Sequence, residues 1–382
     1  MTLAPQGFVG LTACVGLKQD ATDFMLLASA EPGTTAAAVY TQSLFAGPSV
    51  LLNRSEDASR FRGVVTLSKN ANVATGEQGL ANAREVRERA AKLVGCAPEE
   101  LLIASTGVIG VQYPMETLRA GMDALPAPGP ADFEASATAI RTTDTISKFQ
   151  VRQVGDAVIV GIAKGVGMIE PNMATMLSYF FTDAAVPAAE LDAMFRRIVA
   201  KTYNAVSVDG DTSTSDTACV IANGLAGEVD LAEFEAAFFD AALALTKMIA
   251  ADGEGATKLI EVDVTGARDE SQARIIAKSI VNSPLVKTAV YGTDPNWGRV
   301  AMAIGKCEDQ TDIKPRNVTI KFGDNELYPR AVNPERLDAL REYLEGDEVV
   351  IAVDLGVADG TFTAYGCDLT EEYIHINADY TT

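Results

Sequence analysis

The stretch GIAKGVGMIEPNMATMLSYFFTD, residues 161–183, decides the fold because it joins two β-prone runs through a turn rich in glycine and proline. Its first residues predict a strand, two glycines then loosen the chain, and Pro171 stiffens it again. After this turn, Met176–Phe181 is strongly β-prone once more. Thr175 therefore stands at the edge of a predicted strand, and the small side chain of Ala174 leaves the preceding carbonyl open to the threonine hydroxyl.

A threonine that cuts the chain before itself would supply its own base. If the peptide bond before Thr175 shifts to an ester on the threonine oxygen and then hydrolyses, Thr175 gains a free α-amine. That amine can accept the proton of the neighbouring hydroxyl, so the threonine acts as a nucleophile without histidine. Taken alone, however, the segment favours a threonine in an ordinary strand, because threonine-rich strands are common.

The histidine content excludes several kinds of catalytic site. The only histidine of the chain is His375, which rules out a Ser-His-Asp triad, a Cys-His dyad and an HExxH zinc site. Acid–base chemistry near neutral pH must then come from a perturbed carboxylate, lysine or thiol, or from an α-amino group, whose ordinary pKa is about 7.7–8. We interpret His375 itself as a strand residue without a catalytic role.

The composition predicts a globular enzyme of the cytoplasm. Of the 382 residues, 48% are hydrophobic and 22% are charged, and the net charge is -21. This acidity, mainly a solubility feature, disfavours nucleic acid and anionic membranes as partners. The five cysteines are scattered without a CxxC pair, so neither disulfides nor a zinc cluster is expected. The apolar stretch Gly7–Leu17 lacks signal-peptide features and is too short to span a bilayer.

Strand and helix patterns mix without a regular βαβ alternation, which predicts a layered α+β fold. No GxGxxG opens a helix and no GxxxxGK[ST] occurs, so nucleotide binding of these types has no support. Strands are predicted at Phe8–Leu17, Phe24–Ala28, Thr35–Tyr40, Ser49–Leu52, Val64–Leu67, Leu101–Ser105, Ser147–Val154, Ala157–Ala163, Leu259–Val264, Val318–Phe322, Glu348–Asp354, Thr361–Tyr365 and Tyr373–Asn377. Helices are predicted at Ala83–Val94, Leu231–Ala251, Gln272–Val281 and Glu335–Leu344.

Blocks of sequence along the whole chain resemble the ornithine acetyltransferase (ArgJ) family. GIAKGVGMIEPNMATML, residues 161–177, resembles its autocleavage signature, in which the threonine of MAT is the nucleophile. Further blocks follow in the family's order: STGVIG (105–110), TTDT (142–145), NAVSVDGDTSTSDT (204–217), DGEGATKLIEV (252–262), VNSPLVKTAVYGTDPNWGR (281–299) and INADYTT (376–382). Agreement at so many places overturns the ordinary-strand interpretation of Thr175.

The resemblance implies a layered αββα self-processing fold with a smaller C-terminal lobe at about residues 285–382. It implies cleavage between Ala174 and Thr175, which gives an α chain of residues 1–174 and a β chain of residues 175–382 that assemble as an α2β2 heterotetramer. The implied activity moves an acetyl group from N-acetylornithine to glutamate by a ping-pong mechanism through Thr175. No metal or organic cofactor is implied, because the enzyme itself carries the acetyl group.

Two departures from the usual family wording indicate a subgroup. KGVGM and LSKNAN, where most members carry KGSGM and NSGNAN, resemble the ornithine acetyltransferases of clavulanic acid gene clusters. The departures, Val166 and Leu67–Lys69, lie beside the implied site. They leave open whether acetyl-CoA also serves as an acetyl donor.

The family motifs also imply roles for individual residues. Thr106 and Gly107 match the oxyanion hole, where a hydroxyl and a backbone N–H stabilise the negative oxygen; alone, this pair would indicate a strand-to-turn TG. Lys164 matches a substrate-binding lysine suited to an α-carboxylate, and the alternative is a solvated surface lysine. Glu254 suits the ammonium of an ornithine side chain, and the alternative is capping of the first turn of a helix.

Four more residues match substrate-contacting positions of the family: Thr142, Thr143, Asn377 and Thr382. Which of the two neighbouring threonine hydroxyls faces the ligand is left open, and the last residues of the chain would ordinarily form a frayed tail. The polar segments 209–216 and 296–299 are interpreted chiefly as scaffold. The first of them lacks the closing glutamate of a calcium loop.

Two other functional classes stay open. A self-cleaving aminopeptidase would share the architecture but would hydrolyse peptides without acetyl transfer. A non-catalytic paralogue that acts as a binding protein would fail to cut itself. The retention of Thr106, Gly107, Lys164, Thr175 and Glu254 argues against that class.

Overall fold

The computed structural model describes residues 3–170, 176–330 and 334–379, and within these ranges the strands form three five-stranded sheets. The first sheet contains β1 (Phe8–Ala13), β2 (Phe24–Ser29), β4 (Gly63–Asn70), β5 (Leu101–Val108) and β6 (Gly129–Pro130), in the order β5-β4-β2-β1-β6. Its β4 and β5 run parallel and its other neighbours antiparallel.

The second sheet contains β3 (Thr35–Tyr40), β7 (Lys148–Val154), β8 (Ala157–Lys164), β9 (Leu177–Ala185) and β10 (Thr217–Glu228), in the order β3-β10-β9-β8-β7. The central strand β9 pairs with β8 antiparallel and with β10 parallel. The end of β8 and the start of β10 therefore meet beside the start of β9.

The third sheet contains β11 (Leu259–Ala267), β12 (Thr319–Phe322), β13 (Asn325–Tyr328), β14 (Glu348–Asp354) and β15 (Gly360–Cys367), in the order β13-β12-β14-β11-β15. The first strand of this sheet along the chain begins at Leu259, before the start of the predicted C-terminal lobe. A division of the chain into a lobe at about residues 285–382 remains a prediction.

Helices cover the sheets and connect their strands. They are α1 (Pro48–Arg54), α2 (Gly76–Val94), α3 (Met115–Asp123), α4 (Phe133–Ala139), α5 (Ala188–Lys201), α6 (Leu231–Ala251), α7 (Glu270–Val281), α8 (Pro284–Tyr291), α9 (Trp297–Gly305), α10 (Pro334–Leu344) and α11 (Glu371–Asp379). Short 3-10 turns occur at Ala58–Arg60, Pro98–Glu100, Tyr203–Ala205 and Pro315–Asn317. In the part of the chain that the structure describes, no helix combines the length and the apolar character needed to cross a membrane.

The first and second sheets stack face to face, and helices pack on their outer faces. The core between the two sheets joins Leu27 of the first sheet to Val160 of the second. Val86 of α2 belongs to the core on the outer side of the first sheet. Phe195 of α5 and Phe238 of α6 belong to the core on the outer side of the second. The layer order is therefore αββα, and the predicted layered α+β fold is confirmed.

The central strand β9 is apolar on both faces because both faces are covered. Alternate residues of a strand point to opposite sides, so Tyr179 and Phe181 enter the core between the sheets while Phe180 faces α6. The Phe180 ring lies 4.7 Å from that of Phe238 in an edge-on contact, and the Phe181 ring lies 5.3 Å from that of Phe8. Burial on both sides fixes the strand that follows the predicted cleavage point.

Two predicted strands are wrong, because the structure has helices there. Ser49–Leu52 lies inside α1, where Pro48 occupies the first turn, a position in which its fixed φ favours a helix. Tyr373–Asn377 lies inside α11, whose first turn carries two glutamates and whose Glu372 N–H donates to the Thr370 hydroxyl at 3.2 Å. His375 is accordingly a helix residue and not a strand residue.

The long helix α6 confirms the helix predicted at Leu231–Ala251. It spans Leu231–Ala251, and the Asp230 carboxylate accepts the N–H groups of Ala232 and Glu233, both at 2.9 Å. Because α6 ends at Ala251, the chain turns there and brings residues 252–254 to the end of the second sheet where β8 stops.

Candidate active site

A pocket of about 190 Å³ opens where the ends of β5 and β8 meet the turn after α6. The pocket is lined by Ala71, Thr106, Gly107, Ile109, Thr142, Thr143, Lys164, Gly167, Met168, Ser213, Thr214, Ser215, Glu254, Ile376 and Asn377. Every predicted site residue within the described ranges belongs to this set. Residues from five distant segments of the sequence are thus brought to one place.

The Thr106–Gly107 pair ends β5 at the pocket wall. Thr106 is buried, and Gly107 has φ +130°, a conformation that residues with a side chain rarely adopt. A Cβ on Gly107 would also stand 2.2 Å from the carbonyl carbon of Lys69 on the neighbouring strand. Both the φ value and the close approach of Lys69 therefore require glycine at position 107. Because Gly107 has no side chain, its main chain faces the pocket directly.

Lys69, opposite Gly107 on β4, holds a strained conformation. Its φ is +84°, which costs a non-glycine residue free energy that the surroundings must offset. Its ammonium donates to the main-chain oxygen of Arg141, directly before Thr142. Burial, together with the nearby charges of Lys18 and Lys164, lowers the pKa of Lys69. The subgroup-specific lysine thus lies beside Gly107, which lines the pocket.

Lys164 is the last residue of β8, paired across the sheet with Leu177. Its ammonium forms no salt bridge with a carboxylate of the described residues. Its charge nevertheless acts on two buried carboxyl groups, Asp144 and Asp216. The surface-lysine alternative does not fit this half-buried position at the pocket, where the ammonium is available to an anionic ligand group.

Asp216 lies beneath the pocket and is 2% exposed. Burial raises the pKa of its carboxyl well above the usual range, although the hydroxyls of Ser213 and Thr41 and the charge of Lys164 oppose the shift. Its Oδ2 has no hydrogen-bond partner in the described part of the chain. The raised pKa means that Asp216 offsets the charge of Lys164 less than an ordinary carboxylate would.

Glu254 follows α6 in a turn, and its N–H donates to the carbonyl of Val166 at 2.9 Å. Its carboxylate accepts the hydroxyl of Thr143 at 2.9 Å and the amide of Asn377 at 3.0 Å. It begins no helix, so the capping alternative is wrong. Both of these donors are neutral, and the negative charge therefore remains available to a cationic ligand group.

The two neighbouring threonines play different structural parts. The Thr143 hydroxyl is committed to Glu254, whereas the main-chain N–H of Thr142 donates to Asp144 Oδ2 at 3.1 Å. Both residues line the pocket. The contacts therefore indicate that Thr143 orients Glu254 and that the Thr142 hydroxyl is the freer of the two to meet a ligand.

The predicted nucleophile Thr175, its neighbour Ala174 and the C-terminal Thr382 lie outside the described residues. The residue that follows Thr175 is described: the carbonyl of Met176 accepts the N–H of Thr217 at 2.9 Å, and the side chain is buried. Met176 lies between Gly165 and the start of β10, at the end of the second sheet where Lys164 also lies.

The segment 209–216, predicted chiefly as scaffold, contributes in two ways. The Asp209 carboxylate accepts the N–H groups of Met168 and Ile169 at 2.7 and 2.8 Å, which fixes the loop after β8. Ser213, Thr214 and Ser215 of the same segment line the pocket. The segment 296–299 contributes no residue to the lining: Arg299 donates to the Leu285 carbonyl at 2.6 Å.

Several pocket residues were missed from the sequence. Ala71, Ile109, Gly167 and Ile376 carry no chemistry that would single them out. Gly167 nevertheless matters, because a Cβ there would stand 2.4 Å from Glu254 Oε2. Within residues 3–170, 176–330 and 334–379, no group of three or more histidine, cysteine, aspartate or glutamate side chains is arranged to hold a metal ion.

Comparisons with known proteins place this geometry in a family. A sequence profile of the ArgJ family matches residues 10–382 of the chain. The chain is 60% identical to glutamate N-acetyltransferase Oat2 of Streptomyces clavuligerus, covering 99% of this chain and 98% of that relative. It is 54% identical to the arginine biosynthesis bifunctional protein ArgJ of Rhodococcoides fascians, covering 99% and 95%. A crystal structure of ArgJ from Bacillus halodurans matches with 41% identity and a TM-score of 0.49, covering 52% of this chain and 96% of that chain.

Proposed function

This chain belongs to the ArgJ family, and from that premise we propose that it transfers an acetyl group from N-acetylornithine to glutamate by a ping-pong mechanism through Thr175. Its class, an acyltransferase, follows from the family. The identity with the Streptomyces clavuligerus protein supports a place beside the antibiotic-pathway members. The observation that carries the proposal is the pocket, where Lys164 and Glu254 place one cation and one anion beside Thr106 and Gly107.

The charges of the pocket match the ends of N-acetylornithine. This substrate has an α-carboxylate, a side-chain ammonium and an acetyl group on the α-nitrogen. Lys164 suits the carboxylate and Glu254 the ammonium, because neither side chain forms a salt bridge with another of the described residues. A ligand held at both ends presents its acetyl group in one orientation, which is the main requirement for a rapid reaction.

The first half-reaction acetylates the enzyme. The free α-amine of Thr175 takes the proton of the threonine hydroxyl, and the oxygen attacks the acetyl carbon. The Thr106 hydroxyl and the Gly107 N–H donate to the oxyanion that forms. The C–N bond then breaks, the proton passes from the Thr175 ammonium to the departing nitrogen, and ornithine leaves an acetyl ester on Thr175.

The second half-reaction returns the acetyl group to an amine. The amino group of glutamate attacks the ester carbon, and the same two donors hold the oxyanion. The Thr175 α-amine takes a proton from the attacking nitrogen and passes it to the departing Thr175 oxygen, which restores the hydroxyl for the next cycle. The product is N-acetylglutamate, and no cofactor enters because the acetyl group travels on the protein.

Self-cleavage uses the Thr175 oxygen and the same two oxyanion donors before the α-amine of Thr175 is free. The Thr175 oxygen attacks the carbonyl of Ala174, the bond shifts to an ester, and water completes the cut. The proposal gives chains of residues 1–174 and 175–382 that remain together as an α2β2 heterotetramer in the cytoplasm. Nucleic acid and membranes are not proposed partners.

A second donor, acetyl-CoA, is a candidate because the relative from Rhodococcoides fascians is named bifunctional. The ester on Thr175 would then form from a thioester, with the thiol of coenzyme A as the leaving group. Formation of N-acetylglutamate from acetyl-CoA and glutamate, without ornithine, tests this activity directly.

The deciding experiment measures the intact mass of purified protein under denaturing conditions. We expect fragments of 174 and 208 residues (382 minus 174) from the parent and one uncut chain from Thr175→Ala. Thr182→Ala, which changes a buried threonine of β9, is the matched control and should be cut. A parent that stays uncut would contradict the mechanism and favour a binding protein, while a cut protein that hydrolyses peptides without acetyl transfer would be an aminopeptidase.

A further inference from the structure

Behind the pocket, a fully buried lysine joins two carboxylates. Lys148 begins β7 and is 0% exposed. Its ammonium lies 2.8 Å from Asp144 Oδ1 and 2.5 Å from Asp252 Oδ2. Both carboxylates are also buried, with side-chain exposures of 0% and 5%. Removing one member of such a buried cluster is strongly destabilising, because it leaves an unpaired charge in the protein interior.

Asp144 fixes two of the segments that line the pocket. Its Oδ2 accepts the N–H of Thr142 at 3.1 Å, and its Oδ1 accepts the N–H of Gly165 at 2.8 Å. These two amides adjoin Thr143 and Lys164. The Asp144 carboxylate therefore fixes the main chain next to Thr143 and next to Lys164.

Asp252 fixes the third segment. It accepts the main-chain N–H of Thr145 at 3.2 Å and also the hydroxyl of that residue. Asp252 lies two residues before Glu254, whose carboxylate accepts the Thr143 hydroxyl at 2.9 Å. The turn after α6 is thus tied to the segment 142–145 at two points, and Lys148 is the cation that holds the two carboxylates together.

Other charges surround this cluster. Lys164 and Lys69 act on Asp144 from β8 and β4, the Arg141 guanidinium donates to the Asp144 main-chain oxygen, and Glu254 faces the pocket next to Asp252. Burial alone would raise the pKa of Asp144, but Lys164, Lys148 and the Gly165 N–H outweigh it and lower that pKa to about 2. Asp144 is therefore ionised at every physiological pH while Lys148 is present.

We infer that Lys148 is a positioning residue that sets the relative placement of Lys164 and Glu254, and hence the affinity for N-acetylornithine. Lys148 touches no ligand; it acts through Asp144 and Asp252. The inference rests on the proposed function, because it assigns Lys148 a part in binding the proposed substrate.

The test compares two buried lysines that differ in their partners. Lys148→Met removes the ammonium between the carboxylates. The control Lys258→Met removes another buried ammonium, which donates instead to the carbonyls of Val290 and Leu344. Both variants should lose stability. We expect at least a tenfold rise in KM for N-acetylornithine with Lys148→Met, at unchanged self-cleavage, and a KM within twofold of the parent with Lys258→Met.

The pH dependence of KM separates positioning from general loosening. Without Lys148, burial of Asp144 is less opposed and its pKa rises, so its carboxylate is protonated at a higher pH than in the parent. A protonated Asp144 holds the N–H groups of Thr142 and Gly165 less well. KM of Lys148→Met should therefore rise as pH falls from 8 to about 5.5, relative to the parent and to Lys258→Met. Lys148→Arg, which keeps the charge, should remove that added slope.

Three outcomes decide the matter. A KM of Lys148→Met within twofold of the parent, or a rise without the added pH slope, overturns the inference. If Lys148→Met gives no folded protein, Asp252→Asn replaces it: we expect a rise in KM of at least fivefold, and an unchanged KM overturns the inference. Absence of acetyl transfer in the parent itself refutes the proposed function instead, so the two failures are distinguishable.

Discussion

The candidate active-site pocket encloses about 190 Å³, whereas a second cavity, beside the third sheet, encloses about 420 Å³. The second, which we call the third-sheet cavity, is walled mainly by apolar side chains, among them Ile304, Ile313, Val318 and Ile320. The smaller pocket instead holds Lys164, Glu254, hydroxyls and main-chain groups. The larger space is mainly apolar with one carboxylate, Glu308, while the smaller one holds opposite charges beside Thr106 and Gly107.

Backbone strain also distinguishes the active-site pocket from the third-sheet cavity. Lys69, Asn72, Ala74 and Met168 have positive φ values without being glycines; Met168 lines the pocket, and the other three lie close in sequence to Ala71, which also lines it. No residue that lines the third-sheet cavity has a positive φ. Strain persists only where the surrounding structure enforces it, and it tends to collect at functional sites. The volume of a cavity therefore does not indicate which of the two is the site. The charges and the backbone strain indicate the smaller pocket.

The largest effect is expected from Gly107→Ala. The new Cβ would collide with the main chain of Lys69, and alanine tolerates φ +130° poorly, so the oxyanion donors must move. We expect kcat to fall about 100- to 1,000-fold and uncut chain to accumulate. Gly129→Ala, whose Cβ would meet no atom within 4 Å, is the control and should behave as the parent. A kcat of Gly107→Ala within threefold of the parent would count against an oxyanion role.

Removing one carboxylate from each cavity should change KM only for the active-site pocket. Glu254→Gln keeps the shape but loses the charge that we assign to the ornithine ammonium. The loss should raise KM for N-acetylornithine about 30-fold, equivalent to roughly 2 kcal/mol. Glu308→Gln makes the same change in the third-sheet cavity and should leave KM unaltered. Equal KM values for the two variants would break the distinction between the cavities.

The third-sheet cavity should respond in stability alone. Ile320→Val removes one methylene from a side chain that is 1% exposed in β12. We expect the free energy of unfolding to drop by about 1 kcal/mol, with kcat and KM within twofold of the parent. Chemical denaturation and steady-state kinetics measure the two properties. A changed KM at unchanged stability would mean that the cavity communicates with the pocket.

The smallest effect concerns strain at Lys69. Lys69→Gly and Lys69→Ala both lose the contact with the Arg141 carbonyl, so the difference between them reports on the backbone. Glycine relieves the cost of φ +84° but gains freedom in the unfolded chain, and the balance should favour Lys69→Gly by about 0.5 kcal/mol. Elsewhere in a strand alanine is the more stable of the two. An alanine variant that unfolds at higher denaturant than the glycine variant would show that no strain is stored here.

Sequence patterns predicted the long helix α6 and short strands such as β3, but they failed on two short segments that are helical. α6 was predicted with its bounds because its apolar positions repeat over many turns. α1 and α11 were taken for strands because a run of four or five residues fits a period of two as well as a helix. Pro48 and the paired glutamates of α11 were the local signals that pointed the other way.

The pocket shows a similar division. Thr106, Lys164 and Glu254 could be named because they stand in motifs that resemble a family. Lys148 could not, because its partner Asp252 is 104 residues away in sequence. Only the packing of α6 against β7 reveals that the two meet. A buried lysine in a strand looks in the sequence like any surface lysine.

The place of β9 in the second sheet has a consequence for the order of events in time. On the proposed mechanism the cut falls between β8 and β9, which are neighbours in that sheet, so each fragment keeps its strands locked beside those of the other. The proposed oxyanion donors, Thr106 and Gly107, lie in the first sheet, whereas the proposed scissile bond precedes a strand of the second. The bond therefore meets its catalysts only after the sheets have stacked. Cleavage then serves as a permanent record of assembly, since a chain once cut has been native, even if it later unfolds.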